Sequence, residues 1–201
     1  MSNPKLKLEH YPQLPVESAD DLRQWLEANH AQAGSVWTVR WKKVSGRSAL
    51  AYTDLVDELL CFGWIDSLPR KLDAVRTMLL ISPRKPRSGW SAVNKAKIER
   101  LIADGRMHPA GLAAIERAKA DGSWTLLDSS SNLEVPPDLE AALVLLPPAE
   151  THFLAFPPSA RRGILEWIAQ AKTPTTRQKR IDETARMAQQ NERANAYIRK
   201  A

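Results

Sequence analysis

The chain has 201 residues, with 29 Lys and Arg against 23 Asp and Glu and a formal charge of +6. Hydrophobic residues make up 43% and charged residues 26%, which suits one large domain, or a small one with a helical extension, and excludes wholesale disorder. A single cysteine excludes an internal disulfide. The basic balance favours anionic partners without choosing among nucleic acid, phosphate, carboxylate and an acidic membrane face.

Residues 1–17 read as an extended arm carrying Pro4, Pro12 and Pro15. Ser18 is an N-cap with Asp21 three residues on, and Leu22, Trp25 and Leu26 form an i, i+3, i+4 stripe, so a helix is predicted over Ala19 to Asn29. Ser35 to Val44 (SVWTVRWKKV) alternates with period two, which puts Trp37, Val39 and Trp41 on one face of a strand. Ser45-Gly46-Arg47 is a turn. Thr53 is expected to cap a second helix, with Leu55, Leu59 and Phe62 on one side and Gly63 as its stop. Trp64 to Leu68 and Ala74 to Ser82 read as two further strands, with Pro69-Arg70-Lys71 near the turn between them.

Beyond Trp90 the pattern turns helical. Ser91 reads as the cap of a helix containing Val93, Ile98, Leu101 and Ile102, ended by Gly105. Pro109 suits the first turn of the next, which carries Leu112 and Ile115 and stops before Gly122. Asp128 to Pro137 (DSSSNLEVPP) reads as a linker. Short helices are expected over Asp138 to Leu146 and Ala149 to Phe156. A stronger one is capped by Ser159 with Ile164, Leu165, Trp167 and Ile168 inward, and a last one runs from about Thr175 to Tyr197 with Ile181, Ala185 and Ala188 on one face. The expected class is α+β: a small three-stranded antiparallel sheet with one main helix, followed by a helical C-terminal half. The expected division is an α+β domain with two following helices over 1–127 and a helical region over 128–201.

The chemistry-bearing residues concentrate between Leu59 and Asn94. Trp64 and Trp90 bracket this stretch, Asp66 follows the first, and Arg84, Lys85 and Arg87 stand among Pro83 and Pro86 just before the second. Proline-limited arginines can hold a carboxylate or phosphate through two parallel hydrogen bonds, and a helix start at Ser91 would add N–H donors. Trp64, Asp66, Arg84, Arg87, Trp90, Ser91 and Asn94 are therefore the candidate ligand-binding set. Core packing for the two indoles and a surface ion pair for Asp66 with Arg70 or Arg84 are the alternatives. Asp66 is also the candidate acid or base if the protein is an enzyme.

Other signals are weaker. Cys61 lies in an apolar pattern and reads as a small buried hydrophobe. His10, His30, His108 and His152 show no ligand spacing, so no metal and no cofactor is expected. Asp57 and Glu58 are placed on a polar helix side as solubilising charge. No G-x-S-x-G elbow, P-loop or G-x-G-x-x-G occurs. Arg161, Arg162, Lys172, Arg177, Lys179 and Arg180 form a basic C-terminal group that reads either as a solvated face or as a nucleic-acid contact. The first thirty residues hold no apolar export segment and the run Leu143 to Leu146 stops at Pro147, so a cytoplasmic protein without membrane insertion is expected.

The segments CFGWIDS, TMLLISPRKPRSGWSAVN and RLIADGRMHPAGLAAIERAKADGSW, followed by FPPSARRGILEWIAQAKTPTTRQKRI, resemble the YdeI/OmpD-associated, or bacteriocin-protection, family over roughly Val36 to Met187. The resemblance implies a role in tolerance to antimicrobial peptides and association with a porin, with no established reaction. Some descriptions place members of that family in the periplasm, whereas no export signal is visible in this sequence, and Ser67 stands where a glycine is usual. The leading expectation is a non-catalytic binding protein for an anionic small molecule or peptide carboxylate. An enzyme using Asp66, or a nucleic-acid-binding or scaffold protein acting through the basic helical half, are the alternatives.

Overall fold

The computed structural model describes residues 8–32, 34–47 and 49–195. In chain order these form β1 (Gln13–Pro15), α1 (Ala19–Asn29), β2 (Val36–Trp41), α2 (Tyr52–Cys61), β3 (Trp64–Lys71), β4 (Arg76–Pro83), α3 (Ala92–Ala103) and α4 (Pro109–Ala120). Then follow α5 (Asp128–Ser131), α6 (Pro137–Val144), α7 (Ala149–Ala155), α8 (Pro158–Ala169) and α9 (Pro174–Gln189). The class is α+β. The chain forms two compact units, one of residues 1–86 and 93–120, the other of residues 87–92 and 121–201. Among the described residues no helix is long and apolar enough to cross a membrane.

The first unit is built on a four-stranded mixed sheet in the order β1-β2-β4-β3. The expected antiparallel trio is present, with Trp37 opposite Leu80 and Asp66 opposite Ile81. The fourth strand corrects the three-stranded expectation: β1 pairs in parallel with β2, Leu14 opposite Thr38. It is three residues long and bounded by prolines, which hides it in the sequence. At a sheet edge those missing N–H groups cost nothing, and the pairing is completed by Trp37 N–H donating to Pro12 O at 2.8 Å and Val16 N–H to Val39 O at 3.0 Å.

Register sorts the side chains. Val36, Thr38 and Arg40 share one face with Leu79, Ile81, Trp64 and Asp66, while Trp37 and Val39 pack with Met78 and Leu80 on the other. The second face is covered by Tyr11 and Leu72, and the Trp37 indole donates to Leu8 O at 2.8 Å. The first face takes α1 and α2, with the Trp25 ring edge-on to Trp64 at 5.6 Å. Two helices therefore flank this sheet where one was expected, because α1 is the crossover that the parallel β1–β2 pair requires.

Helix α1 has the predicted bounds and a full capping box between Ser18 and Asp21. Helix α2 begins one residue before Thr53. The extended residue ahead of it is Ala51, and Thr53 Oγ1 turns instead to Asp54 Oδ1 at 3.3 Å. Gly63 ends the helix region at φ +71°, and a Cβ there would sit 2.7 Å from that of Ala114. Gly111 on α4 lies so close to α2 that a Cβ would run into the Cys61 carbonyl. Cys61 itself is buried, as expected of a small hydrophobe, and burial pushes its thiol above the usual range.

Asp57 and Glu58 are not solubilising charge. Every residue of α2 from Leu55 to Cys61 is buried, so this helix has no polar side there, and the two carboxylates are 5% and 2% exposed. Asp57 is bonded by Lys97 at 2.6 Å and by Arg100, both on α3. Glu58 is bonded by Arg23 of α1 at 3.0 Å and by Arg106. Burial raises the Asp57 carboxyl, but the bonds from Lys97 and Arg100 outweigh it and hold the group below its ordinary value.

The second unit packs α6–α9 around Leu139, Leu143, Phe153, Ile164, Leu165, Ile168, Ile181 and Ala185. The predicted stripes of α8 and α9 face inward, except that Trp167 is only partly buried, beneath the Arg180 guanidinium at 5.0 Å. Pro158 stands in the first turn of α8, so Ser159 lies inside the helix rather than capping it, and the cap position, Pro157, makes no side-chain hydrogen bond. The predicted linker holds one helical turn, α5, closed by Ser131 N–H donating to Leu127 O at 2.9 Å and Asn132 N–H to Asp128 O at 3.1 Å. Helix α9 is capped by Thr173 Oγ1, which accepts from Thr176 N–H at 3.1 Å, and it stops at Gln189, with Asn191 left-handed just beyond. Tyr197, the expected end, lies outside the described residues, as does Pro4.

Two outcomes test this account. Glu58→Ala should lower the free energy of urea unfolding by about 2 kcal/mol with an unchanged m-value, since it removes the buried carboxylate that ties Arg23 and Arg106 to α2 while both cations keep access to solvent. Asp57 has a depressed folded-state pKa, so its contribution is complete above the ordinary value of 3.8 and lost as pH falls below it. The deficit of Asp57→Asn against the parent chain should thus be full at neutral pH and shrink in acid, as read by denaturation midpoints across pH.

Candidate functional site

The seven residues singled out from the sequence divide between the two units. Trp64, Asp66, Arg84 and Asn94 belong to the first, and Arg87, Trp90 and Ser91 to the second.

In the first unit, Asp66 gathers a cluster. It lies on β3, partly buried, just ahead of a bulge between Asp66 and Pro69 that interrupts the pairing with β4. Its Oδ2 accepts the phenol hydrogen of Tyr52, the first residue of α2, at 2.9 Å. Burial together with the Asp66 charge pushes the Tyr52 phenol up to about 12, so it remains a donor at neutral pH.

Two arginines face this carboxylate. Arg84 follows β4, is 8% exposed, and is anchored through its N–H to Gly63 O at 3.0 Å. Burial presses its guanidinium down to about 10, against the pull of Asp66, so it stays charged at neutral pH. Arg40 reaches in from β2. Its Nη1 donates to Leu50 O at 3.1 Å, its Nε is buried without a hydrogen-bond partner, and burial lowers its pKa against the pull of Tyr52 and Asp66. Arg84, almost wholly buried, and the partly buried Arg40 thus both feel the charge of one carboxylate, which is itself bonded by a phenol. Tyr52 is 53% exposed, so the cluster has a solvent-facing rim.

Trp64, at 1% exposure, packs as core beside this cluster. Asn94 is partly exposed on α3. In the second unit, Trp90 is 1% exposed with its ring 5.3 Å from that of Trp124. Arg87 adopts φ +60°, its N–H donates to Asp121 Oδ2 at 3.0 Å, and its side chain is exposed; Ser91 is partly exposed. The C-terminal basic group is partly engaged within its own unit: Arg177 holds Asp138 through two bonds of 2.7 and 2.8 Å, and Arg180 donates to Trp167 O. That unit also has a groove of about 750 Å³ lined by Leu145, Leu146, Ala185, Lys179, Asp182 and Arg186, among others.

Arg40 and Tyr52 were missed from the sequence. Arg40 is the polar member of the strand pattern VWTVRW, on the face opposite the tryptophans, and that inward arginine was the available signal. Tyr52 carried no signal, because its bond to Asp66 depends on where α2 begins and on how β3 packs against it.

Two family models match the chain. Residues 14–114 match one described as a domain of unknown function (DUF8412), and residues 132–191 match one described as bacteriocin-protection, YdeI or OmpD-associated. The motif CFGWIDS falls in the first stretch and FPPSARRGILEWIAQAKTPTTRQKRI in the second. No curated protein and no solved structure matches.

The cluster makes a prediction about itself. Asp66→Asn removes the charge that offsets Arg40 and Arg84 while keeping an acceptor for Tyr52, so its thermal midpoint should fall, by the equivalent of about 2 kcal/mol. Added sulfate should restore more of the midpoint in Asp66→Asn than it adds to the parent chain. Tyr52→Phe, which removes one partly exposed hydrogen bond, should cost about 1 kcal/mol or less.

Proposed function

Because this chain belongs to the family described as a domain of unknown function (DUF8412), and its C-terminal part matches the bacteriocin-protection model, we propose that it is a non-catalytic binding protein for a small anion. The anion is a phosphate or a carboxylate, that of a peptide end included. The observation that carries the reading is that buried Arg84 and part-buried Arg40, whose Nη1 donates to Leu50 O, both feel the charge of Asp66 beside the exposed rim at Tyr52. A guanidinium drawn out of water is worth more to an incoming anion than one at the surface, because the solvation it would lose has already been given up. Asp66, held by Tyr52, keeps the two cations compatible when no ligand is bound. A part in antimicrobial-peptide tolerance, and any association with a porin, rests on the C-terminal match alone.

A second reading gives Asp66 proton-transfer work. It is favoured by the phenol bonded to this carboxylate and by the buried arginine beside it. Under that reading Asp66→Asn would bind ligand and fail to turn it over. Under the binding reading Asp66→Asn binds anions at least as well as the parent, since it removes a competing carboxylate.

Calorimetric titration with inorganic phosphate, phosphate monoesters and short carboxylates at low salt tests the proposal. Binding should weaken at least tenfold in Arg40→Ala and in Arg84→Ala, each checked for folding by circular dichroism, and be unchanged in Arg177→Ala of the second unit. No binding in any anion class, or binding indifferent to both cluster variants, would overturn it.

A further inference from the structure

At the end of β2 just beyond Arg40, two turn tips lie side by side. One follows β2 as a short 3-10 turn, Lys43–Ser45, closed by Gly46; the other is the connection between β3 and β4. They are joined by Lys42 N–H donating to Val75 O at 2.9 Å, and by Lys42 Nζ donating to Asp73 O and Ala74 O. Each tip exposes a branched aliphatic side chain, Val44 at 76% and Val75 at 38%. Turns of this kind usually carry small or polar residues.

A cationic ring surrounds these valines. Lys43, Arg47, Lys71 and Arg76 are exposed and Lys42 is partly so. Two carboxylates lie among them: Asp73, paired with Arg76 at 2.7 Å, and Glu17, 3.9 Å from Arg47. Five cations therefore stand against two acids. At the rim, Trp41 is partly buried with its indole N–H bonded to Glu17 at 3.0 Å. Guanidiniums lie against its ring, Arg47 at 4.4 Å and Arg76 at 5.9 Å.

We propose that the adjoining tips at Lys43–Arg47 and Asp73–Arg76 form a reversible docking surface for an anionic lipid bilayer. Projecting aliphatic groups ringed by cations, with a tryptophan at their base, match the layers such a surface offers: acyl boundary, polar interface and anionic headgroups. A nucleic acid presents the same negative charge but has no use for the two valines. Its bases would also need a clear aromatic face, and guanidiniums already lie against Trp41. The surface holds none of the residues of the anion cluster, so the two proposals stand or fall separately.

Co-sedimentation of the full chain with phosphatidylglycerol-rich vesicles, with pure phosphatidylcholine vesicles and with a single-stranded oligonucleotide tests this. Binding is expected to the anionic vesicles alone and to weaken as salt rises. Each removed cation should lower the partition roughly fivefold, so Lys43→Glu with Lys71→Glu should lower it by about 25-fold or more. Val44→Asp should weaken it, Val44→Leu should hold or strengthen it, and Lys172→Ala, at an exposed cation of the second unit, should leave it unchanged. These positions are exposed, and circular dichroism confirms that each variant is folded. Failure to bind anionic vesicles, equal binding to neutral ones, or indifference to Val44→Asp and the double charge reversal would overturn the proposal. So would tighter binding of the oligonucleotide, lost in the same variants.

Discussion

Two adjacent carboxylates on α2 must each meet cations, or the helix cannot sit where it does. Asp57 and Glu58 point to opposite neighbours and are almost wholly buried. An uncompensated carboxylate in that setting would cost several kcal/mol or take up a proton. The partners come from three places: Arg23 on α1, Lys97 and Arg100 on α3, and Arg106 between α3 and α4. Satisfying two charges therefore fixes where three other segments lie around α2. Gly111 tightens the arrangement further by bringing α4 against the Cys61 carbonyl, while Phe62 stacks on His108 with ring centres 4.6 Å apart. Burial and the neighbouring His30 press the His108 imidazole below its ordinary value, and its Nδ1 accepts from Ala110 N–H.

The same helix carries the opposite electrostatic situation at its start. Where Asp57 and Glu58 are matched or over-matched by cations that reach solvent, Tyr52 and Asp66 face two guanidiniums withdrawn from it. The first arrangement is closed and structural. The second gathers buried positive charge around Asp66, next to a rim opened by Tyr52. That difference in balance, rather than the presence of arginines as such, separates a scaffold network from a candidate binding site.

The C-terminal unit uses charge more sparingly. Its helices meet through aliphatic and phenylalanine side chains, and Arg177 and Arg180 are tied to Asp138 and to Trp167. His152 bonds the Ala188 carbonyl at 2.8 Å, which fastens α7 to the end of α9. The segment matched by the bacteriocin-protection model lies within this unit, whereas the anion cluster lies within the stretch matched by the other.

Local patterns in the sequence were enough for the α+β class, the bounds of α1, the face shared by Trp37 and Val39, and the inward stripes of α8 and α9. Each rests on a period or a cap that acts over a few residues. Asp66 and Arg84 were both legible as candidate site residues for the same reason, since one short hairpin holds them, although Arg70 was an equal choice of partner for Asp66. Tertiary structure decided the rest. The parallel strand β1 exists only because β2 offers it an edge, and its prolines conceal it locally. Asp57 and Glu58 became buried because cations arrive from 35 to 48 residues away. Arg40 joined the cluster because β2 runs beside β4, a pairing that a residue-by-residue pattern does not encode. Helical and strand periods are local and survive in one dimension. The balance of a buried charge depends on what distant chain the fold brings against it.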